Sequence, residues 1–182
     1  MSKPDDAPPD VPLTTALRVR DACLCLHAQR AARALARRFD SALRPARMTN
    51  GQFSLMMALS GPHPPPLGRI AFVLGMDRTS LTAMLKPLAR RGWVEVLVDA
   101  RDRRSRQPVL TPEGRAALAR ALPIWEREHA AIEAELDAPD ALRAGLNALA
   151  FGDPAGIGAH AVPDAQNPRP DPPPQGRSGP SK

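Results

Sequence analysis

Tyrosine is absent from this chain, and aromatic residues of all kinds make up only 3% of its 182 positions. Any core must therefore be aliphatic, built from Leu, Ala, Val, Ile and Met, and a hydrophobic content of 43% is enough for one. Cysteine is scarce: Cys23 and Cys25 are the only two. Two residues apart, they cannot staple a fold, which excludes a secreted disulfide framework. No run of about 18 apolar residues occurs, which excludes a membrane-spanning helix. The N-terminal MSKPDDAPPD lacks the apolar stretch of a signal peptide. The expectation is a cytoplasmic protein with no membrane partner. No nucleophile–base pair, phosphate loop or metal-ligand set stands out, so no enzyme, no cofactor and no metal are expected.

Acidic residues are outnumbered: 19 Asp and Glu stand against 25 Lys and Arg, a formal net charge of +6. An excess of this sign points to an anionic partner. Residues 1–12, rich in Pro and Asp, and residues 152–182, rich in Pro and Gly, cannot bury enough apolar surface to offset their ordering entropy. Both are expected to be disordered tails around one folded unit, 13–151, that shows no internal repeat.

Within that unit the spacing predicts a long helix over 14–44, with Leu17, Leu24, Ala28, Ala31, Leu35 and Phe39 at helical intervals and Pro45 ending it. Arg30, Arg33, Arg37 and Arg44 occupy another face. Thr49 reads as the N-cap of a second helix through Phe53, Met56, Met57 and Leu59. After the Gly61–Pro66 break come two helices over 67–74 and 77–91, then a strand at 93–98, a charged turn at 99–106 and a return strand ending at Val109–Leu110. Thr111-Pro112 opens another helix, with Thr as N-cap and Pro at the first position. Leu118, Leu122, Trp125, His129, Ile132 and Leu136 follow at intervals close to a coiled-coil seam, and Pro123 is expected to bend it. A last short helix carries Leu142, Leu146 and Leu149. The fold class is mainly α with a small β-hairpin.

The stretch from Leu67 to Lys86 carries the most information. Two short helices that cross sharply need a small residue where they touch and a permissive one in the turn. Counting from Leu67, Ala71 is fifth and Gly75 ninth, while Ile70, Leu74, Met76, Leu81 and Met84 fall where a three-helix core requires apolar side chains. Asp77 is placed to cap the second helix. The polar residues left on it are Arg78, Thr79, Ser80, Thr82 and Lys86, a set suited to a DNA major groove and its phosphates. From Arg69 to Arg106 nine Lys or Arg face four acids, a local charge of +5. The turn residues Arg101, Asp102, Arg103, Arg104 and Arg106 would extend that surface as a wing along phosphates or into a narrow minor groove. A solvated helix face and a solvated charged turn are the alternatives for each segment alone.

The run Asp77-Arg78-Thr79-Ser80-Leu81-Thr82, then Leu88-Ala89-Arg90-Arg91-Gly92-Trp93-Val94, Asp99 to Arg106 and Leu110-Thr111-Pro112-Glu113-Gly114 resembles the MarR family of winged helix-turn-helix regulators, over residues 14–150. The resemblance implies a homodimer on double-stranded DNA. The segments 13–48 and 112–151 would form dimerisation helices around a DNA-binding lobe at 49–111, reading a pseudo-palindromic operator. It implies that Arg104 enters the minor groove, held by Asp102. It also implies a ligand- or oxidant-responsive repressor, with a small anionic or aromatic effector that Arg30, Arg33 and Arg37 would meet. Cys25 precedes Thr49-Asn50-Gly51-Gln52-Phe53 by the distance at which hydroperoxide-sensing members place a reactive cysteine. That makes Cys25 a candidate redox sensor. Those members use tyrosines where Gln29, Phe39 and Asn50 stand here. A thiol packed among Leu24, Ala28 and Ala32 would instead be a small core residue. On one continuous helix Cys23 and Cys25 point about 200° apart, which separates the ligands of Cys23-x-Cys25-x-His27 and argues against zinc. A winged-helix module that binds protein rather than DNA, and a thiol redox enzyme using Cys25, are the competing functions.

Overall fold

A computed structural model describes residues 10–62, 65–98 and 106–152. The tails expected at 1–12 and 152–182 lie almost wholly outside that range. The chain divides into two compact units, residues 1–137 and 138–182. The first contains helices α1 (Leu13–Ala22), α2 (Leu24–Ala42), α3 (Asn50–Ala58), α4 (Leu67–Val73), α5 (Arg78–Arg90) and α6 (Pro112–Glu133). It also contains the strands β1 (Val94–Val98) and β2 (Arg106–Leu110). The second contains α7 (Pro139–Phe151). Among the described residues no helix is long and apolar enough to cross a membrane.

The aliphatic core sits in the first unit. Leu43, Leu55, Met56, Ile70, Leu81, Leu88 and Ala121 are almost wholly buried. Local chemistry starts several of the helices that frame this core. Thr49 accepts a hydrogen bond from the Gln52 N–H, and the Gln52 side chain accepts one from the Thr49 N–H, a reciprocal cap for α3. Thr111 Oγ1 accepts from the Gly114 N–H at 3.0 Å and opens α6, with Pro112 at its first position. Strands β1 and β2 pair antiparallel, Val94 opposite Leu110 and Val98 opposite Arg106. Val94, Pro108 and Leu110 turn inward, while Glu95 and Leu97 face solvent.

Two expectations need correction. The helix over 14–44 is two helices. The chain leaves helical geometry at Cys23 (φ −76°, ψ 103°), and the Cys23 sulfur accepts a hydrogen bond from the Leu26 N–H at 3.4 Å, so the thiol caps α2. A one-residue excursion barely disturbs the 3.6-residue period, so the spacing of Leu17 and Leu24 did not register it. Cys25, expected among packed aliphatic side chains, is exposed, and so are Leu24 and Ala32. Among the described residues nothing buries that end of α2. Of the two readings the α6 spacing allowed, intrachain core accounts for Leu118, which is buried, and for Leu122, Trp125 and Ile132, which pack against the same cluster. Pro123 does not end α6, which runs on to Glu133.

Trp125 joins α6 to the rest of the core. Its ring stacks on Phe39 of α2 at 6.2 Å, on Phe53 of α3 at 5.7 Å and on His129 at 4.5 Å. Beside it, Arg38 of α2 reaches two α6-side carboxylates, Glu128 and Glu135, the latter at 2.8 Å. The carboxylates of Glu135 and Glu128 raise the Arg38 guanidinium above its ordinary value, so it stays charged throughout the accessible range.

Candidate nucleic-acid interface

The helix-turn-helix is α4, the turn Leu74–Met76, and α5. Gly75 takes φ +61°, a left-handed conformation that side chains disfavour. The Met76 N–H closes the turn on the Ala71 carbonyl at 2.8 Å. Ile70, Ala71 and Leu81 are buried as the spacing required, and Leu74, Met76 and Met84 are half-buried.

The N-terminus of α5 is capped by Asp77. Its Oδ1 accepts from the Ser80 N–H at 2.8 Å, and its Oδ2 accepts from the Ser80 hydroxyl at 2.7 Å. These bonds, the hydroxyl's first, hold the Asp77 carboxyl below the usual carboxylate range. A carboxyl lowered on folding contributes stability fully above its unfolded pKa of about 4 and loses it as pH falls through the folded value. Thermal midpoints of the wild type and Asp77→Ala are therefore expected to differ most above pH about 5 and to converge near pH about 2. A gap that is independent of pH would contradict the ionic cap.

The five polar residues expected on α5 separate into two groups. Thr79 and Lys86 stand exposed. Arg78 is exposed too, and its guanidinium lies over Gly68 in the first turn of α4, where a Cβ would come within 2.9 Å of Nη2. The other two spend their donors locally: Ser80 on the cap, and Thr82 on the Arg78 carbonyl at 2.7 Å. Their hydroxyl oxygens remain as acceptors only. In the wing, Arg101, Asp102, Arg103 and Arg104 lie outside the described residues. Arg106 is placed by its backbone as the first residue of β2.

Behind α5 the sequence did not anticipate a second arginine arrangement. Arg91 Nη1 donates to the Arg47 carbonyl at 2.6 Å, and its guanidinium stacks 3.6 Å over Trp93. Partial burial, then the Arg47 charge, lower its pKa. These contacts lock the end of α5 to the segment before α3. Arg47 itself takes φ +55°. A basic side chain followed by Gly-Trp was the only available signal, and it does not name Arg47.

Cys25 accepts a hydrogen bond from Gln29 Nε2 at 3.2 Å, and His27 Nδ1 lies 2.9 Å from the Cys23 carbonyl. Among the described residues no group of three potential metal ligands occurs.

The MarR family model matches residues 48–105, from the start of α3 into the wing. The solved structure of the M. tuberculosis transcriptional regulator MosR in complex with DNA is 36% identical. The match covers 70% of this chain and 93% of that one, with a TM-score of 0.66. This chain belongs to the MarR family. The transcriptional repressor CouR, bound to a 23-mer DNA duplex, is 32% identical over 72% of this chain and 93% of that one, with a TM-score of 0.61. A CouR structure bound to p-coumaroyl-CoA is 29% identical over 72% and 94%, with a TM-score of 0.63. No curated protein sequence matches. As a MarR-family member, the chain is a DNA-binding winged-helix transcriptional regulator.

Proposed function

We propose that this MarR-family chain represses transcription as a homodimer on a short pseudo-palindromic operator, and that a small effector releases it. The α5 N-terminus carries the reading: a capped helix start that leaves Arg78 and Thr79 exposed beside a basic hairpin. In this reading Arg78, Thr79, Ser80, Thr82 and Lys86 face the major groove. Arg101, Asp102, Arg103, Arg104 and Arg106 form a wing on phosphates and in the minor groove. The relatives bound to DNA support the operator, and the CouR complex with p-coumaroyl-CoA supports an effector.

Unpartnered apolar residues support the dimer. Leu13, Val19 and Leu24 on α1 and α2 are more than half exposed, and α7 by itself exposes Leu142, Leu146 and Leu149 at intervals of four and three. Stripes of this kind need a partner surface. Selection of bound duplexes from a random DNA library, with the mass of the complex measured by light scattering, tests both parts. The expected result is an enriched palindrome with half-sites about one helical turn apart, bound by two chains. No enriched sequence, or an asymmetric site bound by a single chain, would sink the reading.

A further inference from the structure

Gly68 is the second residue of α4, and its backbone gives no reason for a glycine. Among the described residues the glycines with positive φ are Gly75, Gly92 and Gly152. At an ordinary helical position alanine is the better helix former. Nor does a neighbouring backbone crowd Gly68, as the Trp93 carbonyl crowds Gly114. The three atoms nearest to where a Cβ would stand all belong to the Arg78 guanidinium: Nη2 at 2.9 Å, with Cζ and Nε both at 3.7 Å. The absent methyl makes room for the head of Arg78.

Arg78 is the first residue of α5. An arginine that reads a base from the start of a recognition helix extends away from the protein into the groove. Here the side chain turns back and lies over the first turn of α4. A guanidinium is planar and weakly hydrated, so it packs readily against a bare stretch of backbone. Among the described residues no hydrogen bond or ion pair holds the Arg78 guanidinium. The contact is packing alone, made by an exposed side chain, and a competing base can draw the arginine off it.

We propose, on the reading of α5 given above, that Gly68 is a positioning residue for operator recognition. It seats the Arg78 guanidinium on α4 in the free chain, and Arg78 must leave that seat to reach a base. Only the unseated rotamer reads the operator, so operator affinity is lowered in proportion to the fraction of chains that hold it. A seat filled about four-fifths of the time weakens operator binding about fivefold. A duplex that offers Arg78 no base partner binds both rotamers alike and is unaffected. The glycine thereby sets how much of the Arg78 contact appears as discrimination between sequences.

Gly68→Ala removes the seat. Its Cβ meets only the far end of a flexible side chain, so the fold is expected to persist, with a thermal midpoint no lower than that of the wild type. Anisotropy titrations of the full chain are expected to show the selected operator bound about fivefold tighter and a scrambled duplex bound as before. In an Arg78→Ala background the same substitution is expected to change neither duplex, which a general effect on α4 would not produce. In the free wild-type chain with isotope-labelled arginine, nuclear Overhauser contacts are expected between the Arg78 Hε and the Gly68 Hα protons. The Arg78 signal is assigned by its loss in Arg78→Ala, and the contacts are expected to vanish when the operator is added.

Absence of those contacts in the free chain overturns the seat, and so does tighter operator binding that persists without Arg78. Unchanged or weaker operator binding by Gly68→Ala makes the seated pose compatible with reading and overturns the positioning role. Equal tightening on both duplexes makes the freed arginine a phosphate contact and overturns it as well. The proton contacts need no DNA, so a chain that selects no operator overturns the reading of α5 while the seat is judged separately.

Discussion

Gly114→Ala is expected to cost the chain about 4 kcal/mol or more, a large part of the 5–15 kcal/mol that stabilises an ordinary domain. Gly114 lies in the first turn of α6, where the helix crosses the chain leading into the wing. A Cβ there would stand 2.0 Å from the Trp93 carbonyl oxygen, 2.9 Å from its carbon and 3.1 Å from its Cα. All three are backbone atoms, so no rotamer change relieves the overlap. The Trp93 carbonyl is also held, since it accepts the Thr111 N–H at 3.1 Å, and the Thr111 hydroxyl donates to the Gly92 carbonyl at 2.6 Å. Moving α6 away breaks this junction and the helix cap together. Chemical denaturation checks it: a much lower midpoint with an unchanged slope is expected. Thr111→Ala, which loses the cap without the clash, should cost only about 1–2 kcal/mol. A Gly114→Ala chain as stable as Thr111→Ala would show that α6 and β1 can separate freely.

The second large effect separates affinity from specificity. Arg104→Ala is expected to weaken binding to every duplex by about tenfold or more, and to reduce the slope of affinity against salt by about 1, as the loss of one backbone-region cation does. That expectation rests on the sequence of the wing. Arg78→Ala is expected to cost about 1–3 kcal/mol on the selected operator and almost nothing on a scrambled duplex, as the loss of a base contact does. Anisotropy titrations of both variants on both duplexes, across a range of KCl concentrations, distinguish the patterns. If Arg78→Ala weakened both duplexes equally, Arg78 would be a phosphate contact, in keeping with its guanidinium lying back over Gly68 in the free chain.

Sequence alone determined the elements whose chemistry is local. The caps at Thr49, Asp77 and Thr111 each act within three residues, and the glycine turn at Gly75 is set by its own φ, so a short window contains the whole cause. The helix-turn-helix core followed because its apolar residues lie at fixed offsets on two adjacent helices. Tertiary structure alone decided the rest. Arg38 meets Glu128 and Glu135 across 90 and 97 residues, and Arg91 meets Arg47 across 44. Periodicity carries no information at that range. Nor could it say that the α6 seam is core from Leu118 to Ile132, because a buried stripe and a dimer stripe have the same spacing. Cys25 shows the limit most plainly: its sequence neighbours Leu24 and Leu26 are apolar, and only the structure shows that the thiol is exposed. The helix-turn-helix was legible from its own offsets, while the close approach of Gly114 to the Trp93 carbonyl exists only where α6 crosses the chain before β1.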